Sequence, residues 1–160
     1  MIHVVDTHAL LWYLEGSREL GQDARRVLAE TTDSLILPTI VLAEARYAIA
    51  RQRSPVTWGD LLTEVGDEER FLVHPLDMDI LRRVSDALEM HDAIVCATAL
   101  TYHEASGEPV PVITKETVAS AIPDSWRRSG DASVALGGPD GDGDVAGGGP
   151  GGRAGVNTGT

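Results

Sequence analysis

Short apolar runs alternate with longer amphipathic stretches along the first 128 residues of the chain. The runs are rich in branched side chains and only three or four residues long, as expected for strands buried in a parallel sheet. The stretches between them repeat apolar residues at helical spacing. This alternation predicts an α/β fold with helices flanking a parallel sheet. The predicted strands are Ile2 to Val5, Leu35 to Leu37, Phe71 to His74, Val110 to Ile113 and a short one near Asp124 to Trp126.

Capping residues mark where the predicted helices begin and end. Gly16 and Gly107 follow helical stretches and suit left-handed caps. Thr39, Thr57 and Asp77 precede such stretches and suit N-caps. The predicted helices run from Thr7 or His8 to Glu15, from Gln22 to Glu30, from Ile40 to Gln52, over Trp58 to Val65, over Ile80 to Leu88, and from about Asp92 to Ala105.

The composition changes sharply near Ser129. Residues 130–160 contain 12 of the 17 glycines, few apolar residues and no periodicity. Such a segment cannot bury enough apolar surface to offset the entropy lost on ordering. The sequence therefore predicts one domain over residues 1–128 and a disordered tail rich in glycine and aspartate over residues 129–160.

Charge and cysteine content narrow the class of protein. Cys96 is the one cysteine, so the chain has no internal disulfide, and no apolar run approaches the ~20 residues of a membrane span. The N-terminus does not resemble a secretory signal, so we expect a cytoplasmic protein. The net charge of −12 opposes nucleic-acid binding through a basic surface. An acidic protein could still bind nucleic acid if clustered carboxylates held a divalent cation, because the cation supplies the local positive charge that a phosphate needs.

Four acidic residues occupy positions that an α/β fold can bring together. Asp6 follows the first predicted strand and Glu116 follows the fourth, while Glu44 lies within an apolar helix and Asp92 opens another. The carboxyl ends of parallel strands bind ligands in such folds, and carboxylate oxygens suit Mg²⁺. Simpler explanations remain for each residue separately. Asp6 and Asp92 suit N-caps, Glu44 suits a solvent stripe or a pair with Arg51, and Glu116 suits a first helical turn.

Two other kinds of site are disfavoured. The five histidines form no set with the spacing of a zinc site. These are His3, His8, His74, His91 and His103. A phosphoacceptor receiver domain also uses an aspartate at a strand end, but it requires an acidic pair there. Here Asp6 stands alone after the strand.

Four segments resemble the motifs of PIN-domain proteins, in the family's order and at its usual spacing. They are Val4 to Trp12, Val41 to Ala45, His91 to Ala99 and Val112 to Glu116. The similarity is closest to the VapC-like toxins of bacterial toxin–antitoxin pairs, and it covers residues 1 to about 128. The fourth segment departs from the family, which more often has Thr-x-Asp where this chain has Thr114, Lys115 and Glu116.

The resemblance implies a three-layer α/β/α sandwich with a parallel five-stranded sheet. It also implies a Mg²⁺ or Mn²⁺ site at Asp6, Glu44 and Asp92, with Glu116 as the fourth ligand, directly or through water. Thr114 would orient a carboxylate or water through its hydroxyl, or else cap the next turn. The implied activity is an endoribonuclease in which metal-activated water hydrolyses RNA. The implied partners are a cognate antitoxin and a second copy of the chain.

A catalytically weak PIN-like module that acts by binding proteins is the alternative, because a fold does not determine a function. Two groups of side chains bear on the partners. The basic residues that could meet an RNA backbone are Arg46, Arg51, Arg53 and Lys115. The aromatic residues that could receive an antitoxin are Trp12, Tyr13, Tyr47 and Trp58.

Overall fold

The computed structural model of the protein describes residues 1–120. The predicted strand near Asp124 to Trp126, the end of the domain at residue 128 and the tail over residues 129–160 lie outside these residues. Within residues 1–120, no helix combines the length and the apolar character needed to cross a bilayer.

The described residues form one five-stranded sheet. Its strands are β1 (Ile2–Val5), β2 (Ser34–Pro38), β3 (Phe71–His74), β4 (Pro111–Ile113) and β5 (Val118–Ser120). Their order across the sheet is β3-β2-β1-β4-β5. Parallel pairing joins β1 to β2, β1 to β4 and β2 to β3. The predicted five-stranded α/β sheet is therefore confirmed, and its first four strands are parallel.

The β5 edge departs from the expectation of a sheet that is parallel throughout. β5 pairs antiparallel with β4, with Ile113 opposite Val118. Residues 114–117 alone separate the two strands. Such a short connection allows a hairpin, whereas parallel pairing needs a crossover of a dozen or more residues. The sheet is thus mostly parallel with one antiparallel edge.

Helices flank the sheet. In the described part of the chain they are α1 (Thr7–Leu14), α2 (Gln22–Ala29), α3 (Thr39–Ala50), α4 (Trp58–Asp67), α5 (Met78–Leu81) and α6 (Met90–Ser106). The chain passes from β1 to β2 to β3 in one direction and then returns to β4 beside β1. Right-handed connections therefore place helices on both faces. The reversal makes the carboxyl end of β1 the place where such folds bind ligands.

Most of the predicted helix caps are confirmed. The Thr57 hydroxyl accepts a hydrogen bond from the Asp60 amide at 3.1 Å and forms a complete capping box with that residue. Asp77 accepts hydrogen bonds from two amides of α5. Gly16 and Gly107 follow α1 and α6 with positive φ angles of 64° and 71°. These local signals fix the ends of four helices.

Thr39 and α5 differ from their predictions. Thr39 is the first residue of α3 and not its N-cap. Its hydroxyl accepts a hydrogen bond from the Leu76 amide at 3.0 Å, which ties α3 to the segment after β3. The helix after Asp77 ends at Leu81, although the apolar stripe continues to Leu88. Tertiary contacts thus override the local pattern in both places.

The core lies on the two central strands. Val4 and Val5 of β1 and Leu35, Ile36 and Leu37 of β2 are fully buried. Burying a side chain of this size contributes about 1.5–3 kcal/mol. Helices α1, α2 and α3 pack Leu10, Leu28 and Val41 against the same core. This packing holds the carboxyl end of β1 in a rigid frame.

Arg70 joins the start of β3 to the end of α2. Its guanidinium, 9% exposed, forms an ion pair with Glu68. It also donates hydrogen bonds to the carbonyls of Leu28 at 2.7 Å and Glu30 at 2.9 Å, and to the Tyr13 hydroxyl at 3.5 Å. The last carbonyls of a helix have no partner within that helix. Arg70 therefore caps α2 and links it to α1 and β3.

Candidate active site

Asp6 lies at the carboxyl end of β1. Its amide donates a hydrogen bond to the Ile113 carbonyl at 3.0 Å, which fixes this backbone against the end of β4. Asp6 occupies the N-cap position of α1, yet its side chain makes no capping hydrogen bond. Capping therefore does not account for Asp6, and its carboxylate is available to a ligand.

Glu44 lies in the middle of α3. Its Oε2 accepts a hydrogen bond from the Thr7 hydroxyl at 2.6 Å and lies 2.7 Å from Nε2 of His91. Arg51 stacks on the Tyr47 ring and does not pair with Glu44. Because its Oε2 is held by two groups, the Glu44 carboxylate is oriented towards the end of β1.

Asp92 lies in the first turn of α6. The helix begins at Met90 with Glu89 at its N-cap position, so Asp92 is not the N-cap. Its Oδ1 is 3.7 Å from Nδ1 of His91, and Oδ1 of Asp6 is 3.9 Å from the same nitrogen. The side chain of Asp92 is 69% exposed. It therefore forms the solvent-facing part of the cluster.

Three of the four predicted carboxylates thus surround one imidazole. Asp6, Glu44 and Asp92 come from separate elements, and each has an oxygen within 4.0 Å of the His91 ring. Among residues 1–120, no group of three or more His, Cys, Asp or Glu side chains is arranged to hold a metal ion. Glu44 lies near Nε2 of the His91 ring, and Asp6 and Asp92 lie near its Nδ1.

Burial makes the negative charge of this cluster unfavourable. It raises the pKa of the Asp6 carboxyl above its usual value, while a hydrogen bond from the Thr7 backbone and the charge of His91 lower it, and Glu44 adds a smaller increase. Burial likewise raises the pKa of the Cys96 thiol, as does the charge of Asp6. A protonated thiol is a poor nucleophile. The site therefore favours a bound positive group over a cysteine nucleophile.

Thr114 and Glu116 lie in the turn between β4 and β5. The Thr114 hydroxyl donates to the Thr117 carbonyl at 3.0 Å and accepts from the Thr117 amide at 3.2 Å. These bonds cap the turn, which is the simpler of the two roles considered for Thr114. The Glu116 side chain is exposed. Among the described residues, no hydrogen bond or ion pair joins it to the three carboxylates around His91.

Gly21 holds this turn against the start of α2. Its amide donates a hydrogen bond to the Lys115 carbonyl at 2.9 Å. A Cβ atom added at Gly21 would lie 2.1 Å from the Glu116 carbonyl oxygen. Because that oxygen belongs to the backbone, any larger residue must displace the turn. The position of Glu116 thus depends on a residue far from it in sequence.

We expect Gly21→Ala to lower the free energy of unfolding by about 1–3 kcal/mol, the usual cost of forcing extra volume into packed backbone. Gly66→Ala is the matched control. Gly66 lies within α4, and an added Cβ there meets nothing within 4 Å. The control should gain up to ~1 kcal/mol from the better helix propensity of alanine. Thermal melts compare the two, and a Gly21→Ala variant that melts with the wild type would contradict the packing.

Sequence reasoning assigned no role to Thr7 or His91. Thr7 is buried, and its hydroxyl contacts both Glu44 Oε2 at 2.6 Å and His91 Nε2 at 3.2 Å. The one sequence feature that could have indicated them is their position, since Thr7 directly follows Asp6 and His91 directly precedes Asp92. Adjacency did not indicate that both side chains meet Glu44, because that contact depends on how α1, α3 and α6 pack.

Comparison with protein families decides the identity of the fold. Residues 3–123, about three quarters of the chain, match the profile of the PIN domain family. The chain belongs to the PIN domain family. A comparison with individual curated proteins found no match. PIN domains are typically nucleases that act on nucleic acid and generally use divalent metal ions.

The side chains of the cluster in this PIN domain carry the type of donor atom that a hard divalent cation prefers. Asp6, Glu44 and Asp92 offer carboxylate oxygens, which Mg²⁺ and Mn²⁺ prefer. The raised pKa of Asp6 reflects a negative charge that burial disfavours and that a cation would stabilise. The one nitrogen ligand in the cluster, His91, does not make a zinc set with the other histidines.

Proposed function

We propose that this PIN domain is a metal-dependent endoribonuclease and the toxin of a toxin–antitoxin pair, acting in the cytoplasm with Mg²⁺ or Mn²⁺. The clustering of Asp6, Glu44 and Asp92 around the His91 ring at the carboxyl end of β1 carries the proposal. Three acidic groups from three elements share a site that is partly shielded from solvent. A structural role does not account for such a concentration of like charge.

The chain's own residues would hold and orient the reacting groups. Asp6, Glu44 and Asp92 would bind the cation, which when bound activates water and stabilises the charge developing on the phosphate. Thr7 donates to Glu44 and so fixes the direction of one ligand. Asp92, whose side chain is 69% exposed, would be the carboxylate most accessible to a substrate from solvent. Burial raises the pKa of the Cys96 thiol and so disfavours its thiolate, which favours hydrolysis by water over a covalent intermediate.

We also propose Glu116 and Thr114 as members of this site. Both lie beside the carboxyl end of β4, whose neighbour β1 ends at Asp6. Glutamate is longer than the aspartate more usual at this position, so Glu116 would act through water. Thr114 would contribute by holding the turn that carries Glu116, as its hydrogen bonds to Thr117 indicate.

Cleavage of a panel of structured RNAs tests the ribonuclease proposal. We expect fragments with Mg²⁺ or Mn²⁺ and none in excess EDTA, because the carboxylates alone repel phosphate. Mapping the cut sites would identify the RNA class. Undiminished cleavage in EDTA, or intact RNA with every metal, would refute the proposed mechanism.

An exposed apolar surface supports a homodimer. It comprises Leu72, Val73, Leu76, Met78 and Leu81 on β3, on α5 and between them, with exposed fractions from 40% to 61%. Leu72 and Val73 are successive residues of the edge strand β3 and point to opposite faces of the sheet, and exposed apolar side chains on and beside an edge strand favour pairing with another chain. Light scattering should report twice the monomer mass for the wild type. Leu72→Glu should reduce that mass, and a wild-type monomer would rule the dimer out.

A groove between α1 and α4 supports an antitoxin partner. It encloses a cavity of about 370 Å³. It is lined by Leu14, Glu15, Pro55, Val56, Asp60 and Glu64. Apolar and acidic side chains together suit a basic amphipathic segment of a partner. Trp12, Tyr13 and Trp58 pack against the core, which leaves them less available than the sequence indicated. Co-expression with the upstream gene product should yield a complex, and failure to do so would remove this partner.

A protein-interaction module with weak catalysis is the second candidate function. The absence of a three-ligand metal arrangement within residues 1–120 favours it. Metal affinity separates the two functions. Isothermal titration with Mn²⁺ should show saturable binding that is lost in Asp6→Asn if the domain is a nuclease, and no such binding if it acts only through partners.

A further inference from the structure

The second half of α3 and the loop after it are basic, although the chain as a whole carries a net charge of −12. Arg46, Arg51 and Arg53 lie between Glu44 and Asp60, and no acidic residue falls between those two. All three arginines are exposed. This is a local concentration of positive charge in an acidic protein.

These arginines have no carboxylate partner among residues 1–120. The arginines that form ion pairs there are Arg26, Arg70, Arg82 and Arg83. Of the two acidic residues that bracket them in sequence, Glu44 is held by Thr7 and His91, and Asp60 is engaged with Thr57 in the capping box of α4. The guanidinium groups of Arg46, Arg51 and Arg53 are thus free, within the described structure, to meet an anion.

Aromatic rings lie beneath two of these arginines. The Arg51 guanidinium carbon lies 4.1 Å from the centroid of the Tyr47 ring. The guanidinium carbon of Arg46 lies 4.9 Å from the Trp58 ring. Tyr47 is 52% exposed, whereas Trp58 is half-buried against the core. Interleaved cations and rings match the two components of single-stranded nucleic acid, its phosphates and its base faces.

The basic and aromatic surface adjoins the active site through Tyr47 and Arg51, whereas Arg46, two residues after Glu44, lies farther around α3. Tyr47 and Arg51 lie three and seven residues beyond Glu44, so all three share one side of α3. A rise of 1.5 Å per residue places Arg51 about 10 Å along the helix from Glu44. Ala43 and Ala50 are exposed on the same helix, and their small side chains leave the surface open.

We propose that Arg46, Tyr47, Arg51, Arg53 and Trp58 form a surface that binds unpaired RNA next to the carboxylate cluster. A base stacks on Tyr47, and the arginines contact the flanking phosphates. The inference rests on the proposed ribonuclease function and adds that the substrate strand must be unpaired here. Base faces are hidden in a duplex and are exposed only in single strands.

Nucleic acid explains this surface better than a protein partner does. Tyrosine, tryptophan and arginine also occur at protein interfaces, but there they surround a buried apolar core, and the exposed aliphatic residues of the described chain lie elsewhere, mainly on β3 and α5. On the exposed face of α3, Tyr47 is the one large apolar side chain, and a cation covers its ring. A stacking platform flanked by charge is the expected form of a site for a single strand.

Fluorescence anisotropy with a short, unstructured, fluorescein-labelled RNA tests the proposal. Titrations of the full chain in EDTA measure binding without cleavage. Tyr47→Leu keeps apolar area but removes the ring, and should weaken binding roughly tenfold. Tyr47→Phe keeps the ring and should bind as the wild type does. Arg51→Ala should weaken binding and lower the slope of log affinity against log salt by about 0.7.

Arg26→Ala is the control for charge. Arg26 is 77% exposed on α2 and is weakly paired with Asp23, so its loss changes the net charge equally without touching the surface. It should leave affinity within about twofold, since exposed ion pairs contribute little. The labelled RNA annealed to its complement should bind more weakly than the single strand. Equal binding of the duplex, or wild-type affinity in both Tyr47→Leu and Arg51→Ala, overturns the proposal.

The test separates this surface from the ribonuclease activity. If Tyr47→Leu weakens RNA binding but no metal supports cleavage, the proposed RNA-binding surface is supported and the proposed ribonuclease activity is refuted. If metal supports cleavage but Tyr47→Leu and Arg51→Ala both bind and cleave RNA as the wild type does, the ribonuclease activity is supported and the RNA-binding surface is refuted. If the variants retain RNA affinity and lose only a protein partner, the surface belongs to that partner and the proposal is wrong.

Discussion

Asp6→Asn is expected to reduce RNA cleavage on the order of a thousandfold, near the upper end of what the loss of one charge-stabilising contact costs an enzyme. The physical reason is that an amide is neutral and binds a hard cation more weakly than a carboxylate does. The backbone of Asp6 is fixed, because its amide donates a hydrogen bond to the Ile113 carbonyl at the end of β4.

The same substitution should leave the metal-free fold at least as stable as the wild type. The Asp6 side chain makes no regular N-cap hydrogen bond, and the amide oxygen of asparagine can still accept the hydrogen bond from the Thr7 backbone. Burial and Glu44 both raise the pKa of its carboxyl, so its charge opposes folding when no cation is present. Removing that charge relieves the repulsion. Loss of activity would then not result from loss of structure.

Thermal melts with and without Mg²⁺, run beside the cleavage assay, measure both effects. A cation at a hundred times its dissociation constant stabilises a protein by about 2.7 kcal/mol, and the variant should gain much less than the wild type. Asp23→Asn is the matched control, because Asp23 is 72% exposed on α2 and loses the same charge. If Asp6→Asn cleaves RNA normally or gains as much from Mg²⁺, the site is misplaced.

Local sequence signals predicted the elements that depend on neighbours along the chain. The β3 bounds are Phe71–His74, as the apolar run indicated. Thr57, Asp77 and Gly107 cap the helices for which they were chosen. Each of these features requires only residues within a few positions. Pattern and capping chemistry therefore identify them without a tertiary structure.

Features that depend on packing between distant segments were not predictable in this way. The hydroxyl of Thr39 bonds the Leu76 amide, which is 37 residues away, and so it does not cap α3. Gly21 looks like an ordinary residue before a helix, but its close approach to Glu116 is visible only when the two segments meet. No local pattern encodes either contact.

In the candidate site, too, local sequence patterns predicted some features, while others depend on packing between distant segments. Strand ends and helix positions indicated that Asp6, Glu44 and Asp92 would converge, and their oxygens all lie near one ring. The identity of that ring, His91, was not predicted, because an imidazole beside Asp92 has many possible directions. The role of Glu116 stays a prediction, since its side chain is exposed and the contacts of the turn are made by its backbone.

Arg70→Met is expected to lower the free energy of unfolding by about 1–3 kcal/mol, because it removes several hydrogen bonds of a buried guanidinium side chain to part-buried and exposed partners. The carbonyls of Leu28 and Glu30 would lose their donor, and Glu68 would lose its counterion. Methionine replaces most of the apolar stem, so the loss reports the guanidinium and not a cavity. The melting temperature should fall by on the order of 10 °C.

Two further variants test whether the shape of the Arg70 guanidinium, and not its charge alone, provides the stabilisation. Arg70→Lys keeps the positive charge but lacks the planar fork that reaches two carbonyls and a carboxylate together, so its stability should be intermediate. Arg26→Met removes an exposed arginine from the same helix, α2, and should change stability by no more than about 0.5 kcal/mol. Denaturant melts of the three variants give this order. If Arg70→Met unfolds with Arg26→Met, the carbonyls at the end of α2 are satisfied by water, and Arg70 does not join β3 to the helices.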